Sequence, residues 1–131
     1  VNNENLTDTV CFTGHSSNMS EVYNGLDIVV SASTNPEPLG TMVIEAMAMA
    51  RPLIGPNHGG AKEMMTDNET GLLFSAKNPE SLSLSIKRLY DSATLRKQLG
   101  QAAREHALQT FAVSTHVEQV QHEYNKLLEN K

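Results

Sequence analysis

Glu37 and Glu45, with seven residues between them, are the residues of this chain whose types and spacing point most directly to ligand chemistry. Glu45 falls within Met42-Val43-Ile44-Glu45-Ala46-Met47-Ala48-Met49-Ala50, where apolar residues cover every face of a helix. The expectation is a helix buried all round, with a single carboxylate in its middle. Such a carboxylate is costly unless a partner satisfies it. For an arbitrary buried glutamate the ordinary partner is a Lys, an Arg or backbone amides. Here the surroundings favour a ligand, because two carboxylate oxygens match a vicinal diol such as a ribose. The helix is expected from about Leu39 to Ala50, so the amides of Leu39, Gly40 and Thr41 are free to donate. Gly40 has no side chain to hold a phosphate away, and the helix dipole favours an anion. Thr41 lies one turn before Glu45 on the same face. Glu37 stands between Pro36 and Pro38, on a loop with little backbone freedom. It is either an acidic residue near a helix N-terminus, worth about 0.5 kcal/mol, or a rigid acceptor for ligand hydroxyls.

The remaining elements must bring these residues to one edge of a sheet. Four apolar runs read as strands: Thr9–Thr13, Asp27–Ser31, Pro52–Gly55 and Gly71–Phe74. Ile28-Val29-Val30 has the unbroken β-branched character of a strand buried on both faces. Asn18-Met19-Ser20-Glu21 has capping-box spacing and opens a short helix that ends near Gly25. Another short helix begins near Gly60 and stops before Thr66. This alternation predicts parallel strands joined by right-handed crossover helices. The helix carrying Glu45 then starts at the carboxyl end of the Asp27–Ser31 strand, where open α/β sheets place ligand crevices.

After Phe74 only helical patterns follow. Asn78-Pro79-Glu80 opens one with Leu82, Ile86, Leu89 and Tyr90 on a shared face. Leu95, Leu99, Ala102, Ala103 and His106 repeat the spacing, as do Val117, Val120, Tyr124, Leu127 and Leu128 in a last helix capped by Ser114 or Thr115. The predicted fold class is therefore α/β, a Rossmann-like parallel sheet of about four strands with crossover helices and a C-terminal helical tail. It forms a single domain, with the half-sheet over residues 1–77 and the tail over 78–131. Four strands offer little surface to three long helices. With Val1 at the start and Asn2-Asn3-Glu4-Asn5 leading straight into a strand, the chain reads as part of a longer protein.

Composition narrows the function classes. The 131 residues include 39% hydrophobic and 19% charged residues and no Trp, so a core of Leu, Ile, Val, Ala and Met is expected. Ten Lys plus Arg against fifteen Asp plus Glu give a net charge of −5, without the positive footprint of a nucleic-acid binder. Cys11, alone and inside Val10-Cys11-Phe12, reads as a buried thiol in a reducing compartment. No apolar stretch approaches the ~20 residues of a membrane span, and no leader pattern opens the chain. Asn5, Asn18 and Asn68 head glycosylation-type triplets that read as chance matches. His58, His106, His116 and His122 are scattered, no D-x-D pair is present, and so no metal site is expected. His58, beside Gly59-Gly60, reads as a turn residue.

Glu37-Pro38-Leu39-Gly40, Glu45-Ala46-Met47-Ala48 and Arg51-Pro52-Leu53-Ile54 together resemble the E-x7-E signature of retaining glycosyltransferase family 4. These are also called group 1 glycosyltransferases and have the GT-B fold. The resemblance continues through Gly59-Gly60-Ala61-Lys62-Glu63, Asn68-Glu69-Thr70-Gly71-Leu72-Leu73 and Asn78-Pro79, and covers roughly residues 9 to 90. It implies a donor-binding domain for a UDP-, GDP- or ADP-sugar, acting in transfer to a polysaccharide, glycolipid or other acceptor with retained configuration. By the resemblance, Glu45 holds the ribose, and Glu37 contacts the donor sugar near its anomeric centre as the catalytic carboxylate, not as a covalent nucleophile. Leu39, Gly40 and Thr41 would meet sugar hydroxyls or the diphosphate, and Phe12, Gly14 and His15 lie on the loop that lines the base. It also implies no cofactor, no obligatory metal, a cytoplasmic location, and membrane contact only for the full-length enzyme.

Two departures stand out. Ala50 precedes Arg51 where the family often has Gly, which reads as a packing variation. The family's basic residues for the diphosphate, and its acceptor domain, have no counterpart in this sequence, so the isolated chain is expected to be inactive. The competing readings are a fragment that binds a nucleotide sugar without catalysis, and a structural Rossmann-like domain with a vacant crevice.

Overall fold

The computed structural model describes residues 4–129, so the expected Val1 start and Asn2-Asn3 lie outside the described residues. Helix α1 spans Met19–Asn24, strand β1 Val29–Val30 and helix α2 Thr41–Ala48. Strand β2 covers Leu53–Pro56, helix α3 Gly59–Met64 and strand β3 Leu72–Phe74. Helices α4 (Pro79–Asp91), α5 (Ala93–Thr110) and α6 (Val113–Glu129) complete the chain. The strands form a parallel sheet in the order β1-β2-β3, with Val29 beside Leu53 and Ile54 beside Leu72. Each parallel step needs a crossover, and α2 and α3 supply them.

Strand β2 shows why the sheet is covered on both faces. Successive side chains of a strand point to opposite sides. Leu53 joins a cluster with Tyr23, Val43, Met47, Met64 and, from α5, Ala103 and Ala107. Its neighbour Ile54 joins another with Leu72, Phe74, Leu89 and Leu99. Helices α4 and α5 thus complete the core of the sheet instead of forming a separate bundle. Gly100 lets α5 approach the end of α2, because a side chain there would collide with the Ala50 carbonyl.

Several local expectations hold. Asn18 caps α1 by accepting from Glu21 N at 3.5 Å, and Asn78 caps α4 by accepting from Ser81 N at 3.0 Å. Leu99 and Ala103 of α5 are buried, with Leu95, Ala102 and His106 partly so.

Others do not. The segment Thr9–Thr13 forms no strand: among the described residues the sheet has three strands, and residues 10–16 have no regular structure. A strand needs a neighbour for its amides and carbonyls, and β1 pairs only with β2. No such neighbour is present among the described residues. Cys11 is consequently exposed, not buried, and Phe12 is 83% exposed.

In α4, Leu89 is buried but Tyr90 is 77% exposed, because α4 turns only a narrow stripe to the sheet. Helix α6 begins at Val113, before the expected Ser114 or Thr115 cap, and Thr115 instead donates its hydroxyl to Gln109 O. None of its residues is buried, so its apolar stripe does not pack as expected.

The end of α2 explains the unusual Ala50. Ala50 N donates to Met47 O and Arg51 N to Ala46 O, both at 2.9 Å, the paired bonds of a Schellman cap. That cap puts Ala50 at φ +54, in the left-handed region that favours glycine. Its departure from the family pattern is one of backbone conformation, not of packing.

Candidate functional site

Helix α2 fixes the geometry of the site. Gly40 is its N-cap, with no side-chain cap, and Val43 N donates to Gly40 O at 2.8 Å. The amides left to project from the helix end are those of Thr41 and Met42. Leu39 precedes the helix and is 63% exposed, so the expected amides of Leu39, Gly40 and Thr41 run from the loop into the first turn.

Glu37 sits just before this helix end, exposed, on a loop clamped to the start of α3. Gly60 N donates to Glu37 O at 2.8 Å. Gly59 has φ +57, and a Cβ on it would lie 2.8 Å from Glu37 O and 2.9 Å from Glu37 N. The Gly59-Gly60 pair is therefore required by the close approach of the Glu37 backbone. Ser33 donates its hydroxyl to Glu37 Oε1 and orients the carboxylate. A cavity of only about 10 Å³, lined by Ser33, Glu37, Gly40, His58 and Gly60 among others, separates the loop from α3. Both ring nitrogens of His58 are buried there without a hydrogen-bond partner, although the residue also forms the extended turn expected of it, as the N-cap of α3.

Glu45 differs from the expectation in its surroundings. Helix α2 buries only Val43, Ala46 and Met47, while Thr41 and Glu45 are exposed. The sheet and α5 cover one side, and the short α1 covers only part of the other. Met42, Ile44, Ala48 and Met49 are half-buried as a result, and the all-apolar pattern overstated the enclosure. Glu45 needs no ligand to offset burial. Its carboxylate is instead met by Tyr23, whose hydroxyl donates to Oε2 at 2.9 Å. Burial of Tyr23, then the hydrogen bond and the negative charge of Glu45, push that phenol up to about 12.

Glu37 and Glu45 thus flank the exposed side of α2, with Thr41 between them in sequence. At the helical rise, Thr41 and Glu45 are about 6 Å apart along the axis. A ligand touching both glutamates must lie along the helix, with its middle over the free amides. Phe12, Gly14 and His15 are exposed and join none of these hydrogen bonds; Gly14 has φ +70. Ser33 and Tyr23 were not indicated by the sequence. Tyr23 and Glu45 are 22 positions apart, and no spacing signal links them. No cluster of three or more metal-ligating side chains occurs among the described residues.

A parallel α/β half-sheet with exposed carboxylates before and along its first crossover helix defines a Rossmann-like domain. The chain belongs to the glycosyl transferases group 1 family, whose model matches residues 1–106. The D-inositol 3-phosphate glycosyltransferase of Corynebacterium glutamicum is 32% identical over 115 residues, covering 88% of this chain and 27% of that protein. HepE of Anabaena, solved in complex with UDP, superposes with a TM-score of 0.91 at 25% identity, over 95% of this chain and 34% of that one. Sucrose-phosphate synthase of Thermosynechococcus elongatus gives 0.89 at 28% identity, over 100% of this chain and 33% of that one. The architecture is that of the GT-B glycosyltransferases. The chain spans about a third or less of the length of these relatives.

Proposed function

We propose that this chain binds the nucleotide-sugar donor of a glycosyltransferase, with the donor laid along the exposed side of α2. The order of groups on the helix carries the proposal: a diol acceptor at Glu45, free amides at Thr41 and Met42, and a rigid carboxylate at Glu37. A nucleotide sugar presents ribose, diphosphate and sugar in that sequence. Glu45 takes the ribose hydroxyls, and the amides with the helix dipole take the diphosphate. Glu37, held by Ser33 and the Gly59-Gly60 turn, contacts the sugar near its anomeric carbon. Phe12, Gly14 and His15 line the base. Likeness to HepE, solved with UDP and with UDP-glucose, favours UDP over GDP or ADP.

In the intact protein the bond from the anomeric carbon to the diphosphate oxygen breaks, and an acceptor hydroxyl oxygen bonds to that carbon on the same face. The acceptor proton leaves with the nucleoside diphosphate, whose developing charge the fixed amides stabilise. Glu37 positions and stabilises and forms no covalent intermediate. The reaction runs without a cofactor or an obligatory metal. Its acceptor is a polysaccharide or glycolipid, and the enzyme works in the cytoplasm, at a membrane where the acceptor is a lipid. No helix among the described residues is long and apolar enough to cross one.

Calorimetric titration of the intact protein with UDP- and GDP-sugars tests this. Glu45→Ala is expected to weaken UDP-sugar binding at least tenfold, about 1.4 kcal/mol. Undiminished binding in that variant would remove Glu45 from the site, and no transfer or hydrolysis of any nucleotide sugar by the intact wild type would sink the enzyme reading.

A further inference from the structure

We propose that Tyr23 is a positioning residue for the diol-binding carboxylate, fixing Glu45 through the 2.9 Å hydrogen bond to Oε2 so that Oε1 stays available to a ribose. The proposal rests on the ribose role given to Glu45 above. Glu45 is exposed and lines a cavity of about 280 Å³ with Met19, Ser20, Tyr23, Ala48 and Met49. An exposed glutamate samples several rotamers and loses that freedom when a ligand binds. Tyr23 removes much of the freedom beforehand. Tyr23 is 3% exposed and packed in the cluster with Val43 and Met47, so its hydroxyl has a fixed place.

The chemistry of the donor matters as much as its position. A Lys or Arg in this place would neutralise the carboxylate and compete with the ligand. A phenol donates a single hydrogen bond and leaves the negative charge in place. Because burial and Glu45 push its ionisation up to about 12, it remains a donor at any ordinary pH. Tyr23 to Glu45 is also the one side-chain hydrogen bond between α1 and α2 among the described residues, so a purely structural role is the alternative to be separated.

The distinguishing readout is discrimination of the diol. In the intact protein, binding of UDP and of 2′-deoxyuridine diphosphate is compared in wild type, Tyr23→Phe, Glu45→Gln and the double variant. Tyr23→Phe is expected to weaken UDP about five- to tenfold, in the range for the net loss of one ordinary hydrogen bond. The deoxy compound should change less than about twofold, and the double variant should be no worse than Glu45→Gln alone. Tyr23→Phe binding UDP like wild type, while Glu45→Gln does not, would overturn the positioning role and leave the ribose role standing. Equal weakening of both nucleotides by Tyr23→Phe would make the contact structural and overturn it too. Unchanged binding by Glu45→Gln would remove the ribose role itself, and the proposal with it.

Discussion

Two single residues, Tyr23 and Ala50, have measurable consequences for stability. Tyr23 has its phenol pushed from 10 to about 12 in the folded chain, so between those values the unfolded chain releases its proton first. Stability is therefore full below pH 10 and falls as the pH rises towards 12, by about 2–3 kcal/mol from this group. Urea unfolding from pH 9 to 12 checks this, because Tyr23→Phe should lose that part of the decline. Ala50 is the second. At φ +54 it bears the steric cost of the left-handed region, so Ala50→Gly is expected to raise the unfolding free energy by about 0.5–1 kcal/mol. A denaturation midpoint unchanged or lowered in Ala50→Gly would contradict this account. Both glutamates are visible as residues in the sequence. The apolar pattern around Glu45 predicts an enclosed carboxylate, and the structure shows an exposed one held by a tyrosine.

Elements decide where those residues point. The Glu37 loop and the start of α3 behave as one unit, since Gly60 N holds Glu37 O and Gly59 leaves no room for a side chain against the Glu37 backbone. Gly59→Ala should therefore do two things. It forces a β-carbon into the left-handed region and into the loop, costing about 2 kcal/mol of stability. It should also weaken a UDP-sugar more than UDP itself, because Glu37 moves while the start of α2 does not. Paired titrations with UDP and UDP-glucose measure the difference, and equal losses for both would detach Glu37 from the sugar end. The sequence showed the Gly-Gly pair and both glutamates. What it did not show was that the glycines exist for Glu37, because that contact joins two loops through the tertiary fold.

Over the whole molecule, stability is uneven. Strand β2 is buried along its length between two clusters, whereas α6 has no buried residue and leaves Val117, Tyr124 and Leu127 more than half exposed. In native-state hydrogen exchange of this chain, the amides of residues 113–129 should open well below the global unfolding free energy, and those of α2 and β2 close to it. Protection of α6 equal to that of β2 would refute this.

The sequence by itself determined the order of strands and helices from residue 19 onward, the caps at Asn18 and Asn78, the parallel α/β class and the segment that holds the candidate site. These are legible because periodicity, capping and turn chemistry act between residues a few positions apart. Tertiary structure alone decided that Thr9–Thr13 is not a strand, that α2 has an open side, that Ala50 must be left-handed, and that Tyr23 and Ser33 hold the two glutamates. Each of those depends on which surfaces meet across the fold, and pairing, burial and side-chain hydrogen bonding between distant residues leave no local pattern in the chain.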